Sequence, residues 1–341
     1  MYKKIYLSVI LGVLFFISCK DKKQYYEESG TVFHTLYTIK YEAPYALTDK
    51  IDAELQKFNL SLNPFNPNSI IAKVNNNEAV EVDEWFTEVF NKSMEVSRNS
   101  DGVFDITCAP LVNLWGFGFN KKDSAPTMID SLKTFVGYQK VHLEGKKIVK
   151  DDPRLLLNCS AIAKGYSCDV IARLLEKEGV ENYMVLIGGE VVVKGVNQNG
   201  VCWRTGINLP EDDPDGIKNN YDEIVQLCKK GAIATSGNYR NFYIKDGKKY
   251  AHTINPRTGY PAEQSVLSAT IVANDCMTAD AYATAFMAMG LEKARQMADT
   301  LPEIEYYVIY ADESGKHQIE FSKGMLQYLP KRKTMISSDN S

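Results

Sequence analysis

Histidine is scarce in this sequence, four in 341 residues, and none stands at metal-ligand spacing to a cysteine, which argues against a zinc centre. The seven cysteines include no C-x-x-C pair. A basic excess is missing as well. Lys and Arg number 39 against 43 Asp and Glu, a net charge of −4, so the electrostatic footprint of nucleic-acid binding is absent. No G-x-G-x-x-G follows a strand, and Ala163-Lys164-Gly165 does not complete the G-K-S/T of a P-loop, so neither standard nucleotide signature is present. The N-terminal apolar run, Ile5 to Ile17, is too short to span a bilayer as a permanent helix.

With 45% hydrophobic residues the chain can bury one large core or two smaller ones. Lys3 and Lys4 precede the Ile5 to Ile17 run, a signal-peptide pattern, and Phe16-Ile17-Ser18-Cys19 resembles a bacterial lipobox. The expectation is a leader over residues 1–18, a lipidated Cys19, and an exported domain anchored in the cell membrane on its extracytoplasmic side; an uncleaved anchor is the alternative. Residues 19–30, polar after the cysteine, read as a tether. Cys108, Cys159, Cys168 and Cys276 sit in apolar or small-residue runs that suit buried free thiols, and spacing alone leaves any pairing open.

Asn158 to Glu190 is the organising stretch. Asn158 to Gly165 brings small side chains, one cation and exposed amides to a helix N-terminus, a geometry that suits phosphate oxygens. Tyr166, Val170, Ile171, Leu174 and Leu175 then share a helical face, and Gly179 supplies a left-handed stop. Tyr183 to Ile187 reads as a short buried strand ending in Gly188-Gly189, where another group can approach the backbone. An ordinary helix-strand unit with a glycine turn fits the same letters.

Upstream, Thr31 to Tyr41 predicts one strand, Asp49 to Phe58 a helix, and Ser61 to Ser69 an irregular loop whose Phe65 is either a plug or the cover of a planar ligand. Asp83 is expected to cap a helix reaching about Ser97. Gly102 to Gly118, apolar, aromatic and broken by Pro and Gly, is either core or pocket wall. Downstream, Glu190 to Val196 and Cys202 to Leu209 predict a hairpin, Ile207 to Glu223 an exposed excursion, and Asp246-Gly247 the turn of a second hairpin. Its return strand carries His252 into a turn bearing Arg257, so His252 is either a satisfied structural residue or part of a polar site. Met277 to Met289 predicts a helix of small residues. On it Asp280 and Thr284 share a face: an oxygen pair for a hard cation such as Mg²⁺, or an Asp on the helix dipole beside a Thr bonded to its own backbone. A last hairpin turns at Glu313-Ser314-Gly315, and the tail after Tyr328 reads as frayed.

Four blocks in order, GVFDITCAPLVNLWGFG, NCSAIAKGYSCDVIARLLEKEGVENYMVLIGGE, ATSGNYRNFYIKDGKKYAHTINPRTG and CMTADAYATAFMAMG, resemble the flavin transferases of the ApbE type. They span about Gly102 to Gly290, and the NPFNPNS loop with the strand before it carries the resemblance back to about Gly30. The segments and the resemblance together imply an α+β fold, antiparallel sheets with packed helices in two interleaved lobes over residues 31–328, with FAD between the lobes and residues 329–341 as a flexible tail. The resemblance implies transfer of FMN from FAD to a threonine hydroxyl of an acceptor protein, with Mg²⁺ on the diphosphate and AMP leaving. It places the metal on the Ala161 carbonyl and the side chains of Asp280 and Thr284, and it makes His252 the group that assists the hydroxyl or steadies the phosphates. Phe33, Phe65, Val103, Phe104, Asp105, Asn158, Lys164 and Ile254 fall at positions that line FAD in that family. The nucleophile belongs to the acceptor, so no activated Ser or Cys is required here.

The chain departs from the family pattern at His34, where glycine is common, and at Phe33 and Phe65, where Met and Tyr are frequent. Asn158, Asn238 and Asn255 stand where Asp is common, and Asn158 removes a negative charge near the diphosphate, which bears on metal number and on transfer against hydrolysis. Two other functions compete: a Mg²⁺-dependent FAD pyrophosphatase, which members of the family resemble, and, from a different class, a lipoprotein that binds FAD without turnover, against which the presence of His252, Asp280 and Thr284 argues.

Overall fold

The computed structural model of the chain describes residues 23–120, 126–212, 220–239, 241–245, 248–262 and 265–330. The leader, Cys19, the Asp246-Gly247 turn and the tail from residue 331 onward lie outside the described residues.

The chain opens with a hairpin, β1 (Gln24–Val32) and β2 (Thr35–Ala43), instead of the single strand read from Thr31 to Tyr41. Alternation runs straight through the turn, where Phe33 and His34 adopt φ of 51° and 59° with no glycine to announce it. β1 also reaches back into the stretch read as a tether. Tyr26 stacks on Tyr41 at 5.5 Å, the Tyr25 hydroxyl donates to the Val196 carbonyl at 2.6 Å, and Glu27 pairs with Lys40. Two tyrosines thus anchor an otherwise polar edge strand, whose charges discourage pairing with another chain.

Next come α1 (Thr48–Leu62), α2 (Ile70–Asn75) and α3 (Glu84–Asn99). Ile51, Leu55, Phe58 and Leu62 are the buried stripe of α1, and Asp83 caps α3 by accepting the Phe86 amide at 2.8 Å. Two short helices, α4 (Ala109–Leu114) and α5 (Ile129–Lys133), precede the small ribbon β3 (Val141–Glu144) and β4 (Lys147–Lys150). Then follow α6 (Ala163–Lys177), β5 (Tyr183–Ile187) and β6 (Glu190–Lys194). The hairpin read from Glu190 to Leu209 does not form as such. β7 (Trp203–Asn208) pairs with β8 (Tyr221–Leu227), and it meets the end of β6 only through a Val196–Cys202 bridge. The Asn199-Gly200 turn is real, but Gly195, at φ 67°, turns the chain out of the sheet first. A Cys202–Cys228 disulfide closes this ribbon, while Cys108, Cys159, Cys168 and Cys276 are free.

The remaining elements are β9 (Gly231–Gly237), the ribbon β10 (Phe242–Lys245) and β11 (Lys248–Ala251), β12 (Val266–Ala273), α7 (Cys276–Met289), α8 (Leu291–Ala298), β13 (Glu305–Ala311) and β14 (His317–Phe321). Leu329 is fully buried, so the fold continues past Tyr328, where the tail was expected to begin. One antiparallel sheet of eight strands, in the order β1-β2-β5-β6-β9-β12-β13-β14, divides the cores. Strand alternation sends Val192, Ala232, Ala234 and Ile271 toward the helices, and Val191, Val193, Ile233 and Val272 toward the β7–β8 ribbon.

α7 is buried on all sides. Its alanines 279, 281, 283, 285 and 288 let it lie close against β9, β12 and α6. Along the middle of this helix Thr284 alone is half-open to solvent. α6 and α7 meet at their N-termini, and each supplies the other's cap. Asp169 of α6 accepts the Cys276 amide at 2.9 Å and the Met277 amide at 2.8 Å; Asp280 of α7 accepts the Gly165 amide at 2.9 Å. Gly165 is obligatory at this crossing, because a Cβ there would stand 2.2 Å from the Cys276 carbonyl oxygen.

Asp169→Ala leaves two buried amides without acceptors, and we expect it to lower the unfolding free energy by about 1–3 kcal/mol in urea titrations. A loss below about 0.5 kcal/mol would show that the cross-helix caps do not hold the junction.

Candidate active site

The site lies where the first turns of α6 and α7 meet the Gly188-Gly189 turn between β5 and β6. Lys164, on the first turn of α6, contacts Glu190 Oε1 directly and stands 3.9 Å from Asp280 Oδ1. Burial pulls the Lys164 ammonium down, but Asp280 and Glu190 outweigh it and hold it above the ordinary lysine range, so it is charged at neutral pH. Burial raises Asp280, against the pull of Lys164 and the Gly165 amide. Asp169 is pushed up to about 7, chiefly by burial and despite its two amide donors.

Ala161 sits in the turn just before α6. The Gly165 amide, which would close the first helical turn onto the Ala161 carbonyl, is taken by Asp280; among the described residues no backbone amide donates to that carbonyl. One turn beyond Asp280, the Thr284 hydroxyl meets the Ser236 hydroxyl of β9 at 3.2 Å. An oxygen from the backbone, a carboxylate and a hydroxyl therefore come from adjoining turns of the α6–α7 junction. Their chemistry fits a hard cation. Among the described residues no three His, Cys, Asp or Glu side chains are grouped to hold a metal, so a cation here would need the backbone and hydroxyl oxygens too.

His252 follows β11. Its Nδ1 lies 3.1 Å from the Asn241 carbonyl, an acceptor, so Nδ1 carries the proton and Nε2 keeps its lone pair. Burial lowers its pKa, the Asn241 bond raises it, and the Lys164 cation lowers it again; the net shift is downward, and the ring is neutral at pH 7. That influence of Lys164 places the two groups in one electrostatic neighbourhood. The ring is held edge-on against Phe117 at 6.3 Å, at the end of a stacked ladder of Phe117, Tyr243, Tyr250 and Trp115 with spacings of 5.3, 5.3 and 5.5 Å. Trp115 Nε1–H donates to the Gly259 carbonyl at 2.8 Å, tying the ladder to the turn after His252. Arg257, on that turn, pairs with Asp101 at 2.8 Å.

The other expected ligand-lining residues divide by burial. Phe65 is 46% exposed and meets His34 at 5.8 Å and Phe119 at 6.1 Å, edge-on in both cases, so its ring is available to cover a planar group. Phe33 is half-buried and leans on Phe58 at 5.2 Å. Val103, Phe104 and Ile254 are buried. Asp105 is buried as well; its oxygens accept the Thr107 and Tyr138 amides at 2.7 and 2.8 Å, and burial pushes it up to about 6. Asn158 folds its Oδ1 back onto the Ser160 amide at 2.9 Å and shapes the loop before α6. A cavity of about 800 Å³ between α3 and residues 138–143 is lined by none of the residues singled out from the sequence for the site.

Sequence reasoning missed Glu190 on Lys164, Asp169 on the α7 amides, and Ser236 on Thr284. Glu190 left one signal, a lone carboxylate inside the apolar run from Val185 to Val193. Gly188 makes room for it. At φ 68°, a Cβ would lie 3.0 Å from Lys164 Cδ and 3.2 Å from Glu190 Oε2. We expect Gly188→Ala to cost about 1–2 kcal/mol of stability, read from thermal or urea unfolding, because the alanine adopts a left-handed conformation while crowding Lys164. An unchanged midpoint would mean that the turn relaxes freely.

The ApbE family profile matches residues 33–308. A relative from Vibrio cholerae named FAD:protein FMN transferase is 35% identical over 323 residues, covering 91% of this chain and 95% of its own. Another of the same name, from Escherichia coli K12, is 31% identical over 314 residues, covering 85% and 88%. Among solved structures, the flavin transferase ApbE from Vibrio cholerae matches with a TM-score of 0.81 at 32% identity, covering 90% of this chain and all of that one. The ApbE protein of Thermotoga maritima matches at 0.78 and 28% identity, covering 90% and 99%. The expected α+β architecture of antiparallel sheets and packed helices is the one these structures share. On the matched length, the identity and the fold, this chain belongs to the ApbE family.

Proposed function

We propose that this chain is a transferase that moves FMN from FAD to a threonine hydroxyl of an acceptor protein and releases AMP. The observation that carries the reading is the α6–α7 junction, where a charged Lys164, an Ala161 carbonyl with no backbone donor among the described residues and the Asp280–Thr284 pair come together, with a neutral His252 within electrostatic reach of Lys164. A diphosphate is the ligand that such a set suits. The names of the relatives support flavin transfer; the metal and the acceptor threonine come from the site chemistry and the family resemblance.

Lys164 offsets diphosphate charge from one side, and Phe65 offers a ring to the flavin or adenine. The acceptor hydroxyl oxygen attacks the phosphorus of the FMN half, the bridging P–O bond breaks, and AMP leaves with that electron pair. His252 Nε2, unprotonated at neutral pH, takes the hydroxyl proton. Mg²⁺ held by the Ala161 carbonyl, Asp280 and Thr284 would neutralise charge on the diphosphate. Export and anchoring through Cys19 form the second half of the proposal. The apolar run ending in Ser18-Cys19 supports it, and the Cys202–Cys228 disulfide fits an oxidising compartment.

The test is to incubate the chain from Lys20 with FAD, Mg²⁺ and a threonine-bearing acceptor domain, following acceptor mass beside free AMP and FMN. Acceptor gaining FMN as AMP appears is the expected result; FMN and AMP without labelling would establish hydrolysis, and unchanged FAD a binding protein. Asp280→Asn keeps an oxygen for the Gly165 amide and removes the charge, so it should abolish turnover while the chain still folds. His252→Asn should lower kcat by about 10²–10⁴-fold. With its folded pKa below the usual 6.5, His252 loses its lone pair only on the acid side of that value. The kcat/KM of the wild-type chain, which reports the free enzyme, should therefore fall only on the acid side of about pH 6.5. An acid limb centred above pH 7 would exclude this role for His252.

A further inference from the structure

Glu190 is 3% exposed, at the first position of β6. One carboxylate oxygen contacts the Lys164 ammonium; the other, Oε2, has no hydrogen-bond partner among the described residues. A buried carboxylate with an unpaired oxygen is costly, and a buried ion pair adds little net stability for that cost. Packing therefore gives little reason for Glu190 to be there.

The charges around it supply one. Lys164 has two buried carboxylates within reach, Glu190 in direct contact and Asp280 at 3.9 Å. If the ammonium closed onto Asp280, it would occupy the carboxylate that the cation needs and leave the phosphate side. We propose that Glu190 is a positioning residue: it holds the Lys164 ammonium off Asp280, so that Asp280 Oδ1, the oxygen not taken by the Gly165 amide, stays open for a divalent cation and Lys164 for the diphosphate. Gly188 leaves space for that arrangement, since any side chain there would press on both Lys164 and Glu190. This role rests on the diphosphate-and-cation reading given above.

Two affinities separate positioning from a plain field effect. Removing one negative charge would by itself weaken cation binding and tighten binding of anionic FAD. Release of Lys164 onto Asp280 weakens both. The experiment titrates Mn²⁺ alone, and separately metal-free FAD, into the wild-type chain, Glu190→Gln, Lys164→Met and the double variant. We expect Glu190→Gln to lose about tenfold in Mn²⁺ affinity and several-fold in FAD affinity, and the double variant to recover Mn²⁺ binding because no ammonium remains to cover Asp280. Recovery in the double variant also shows that a chain carrying Glu190→Gln folds. If Glu190→Gln binds FAD more tightly, or the double variant stays as weak for Mn²⁺ as the single one, the positioning role is overturned while the functional reading stands. If the wild-type chain binds no Mn²⁺, the cation reading falls, and this inference with it.

Discussion

Two carboxylates hold α6 and α7 by each other's N-termini, Asp169 on the Cys276 and Met277 amides and Asp280 on the Gly165 amide. An N-terminus carries unsatisfied amides and partial positive charge, and bringing two together in a core is unfavourable unless acidic groups meet them. The reciprocal caps provide those groups and fix the crossing, and they demand glycine at position 165 and small residues along α7. The eight-stranded sheet and its helices give the pair a rigid seat.

The same constraint creates the chemistry. Because Asp280 takes the Gly165 amide, the helix start is irregular and, among the described residues, no backbone amide donates to the Ala161 carbonyl. On the proposed reading, a diphosphate beside this junction meets Lys164 and the Asp280–Thr284 oxygens together, the Gly165, Cys276, Met277 and Thr278 amides being held by Asp280, Asp169 and Asp275. His252 is brought in from a separate ribbon, held by the Asn241 carbonyl and the Phe117 edge. In the proposed reaction the acceptor brings the nucleophile, and the chain needs only to bind, offset charge and accept a proton.

Much of this was legible in the sequence because its signals are local. Asp280 and Thr284 share a face by helical spacing, the Asn158 to Gly165 loop announces a helix start, and four family blocks in order point to the fold. What was illegible depends on contacts across long stretches of chain. Asp169 carries no local signal, because its partner amides on α7 lie more than 100 positions later. Glu190 reads as the first residue of a strand until Lys164 reaches it. The Phe33-His34 turn carries no glycine, so alternation concealed a hairpin, and the Asn199-Gly200 turn joined strands that Gly195 had already parted.

The central claim is that the α6–α7 junction seats the diphosphate of FAD beside a cation on Asp280. Phosphorus NMR of bound FAD, with Mn²⁺ substituted for Mg²⁺, tests it most directly. The account predicts strong paramagnetic broadening of both diphosphate resonances in the wild-type chain and its loss in Asp280→Asn. Broadening that survives in Asp280→Asn, or that strikes the flavin ring protons and spares the phosphorus signals, would contradict it.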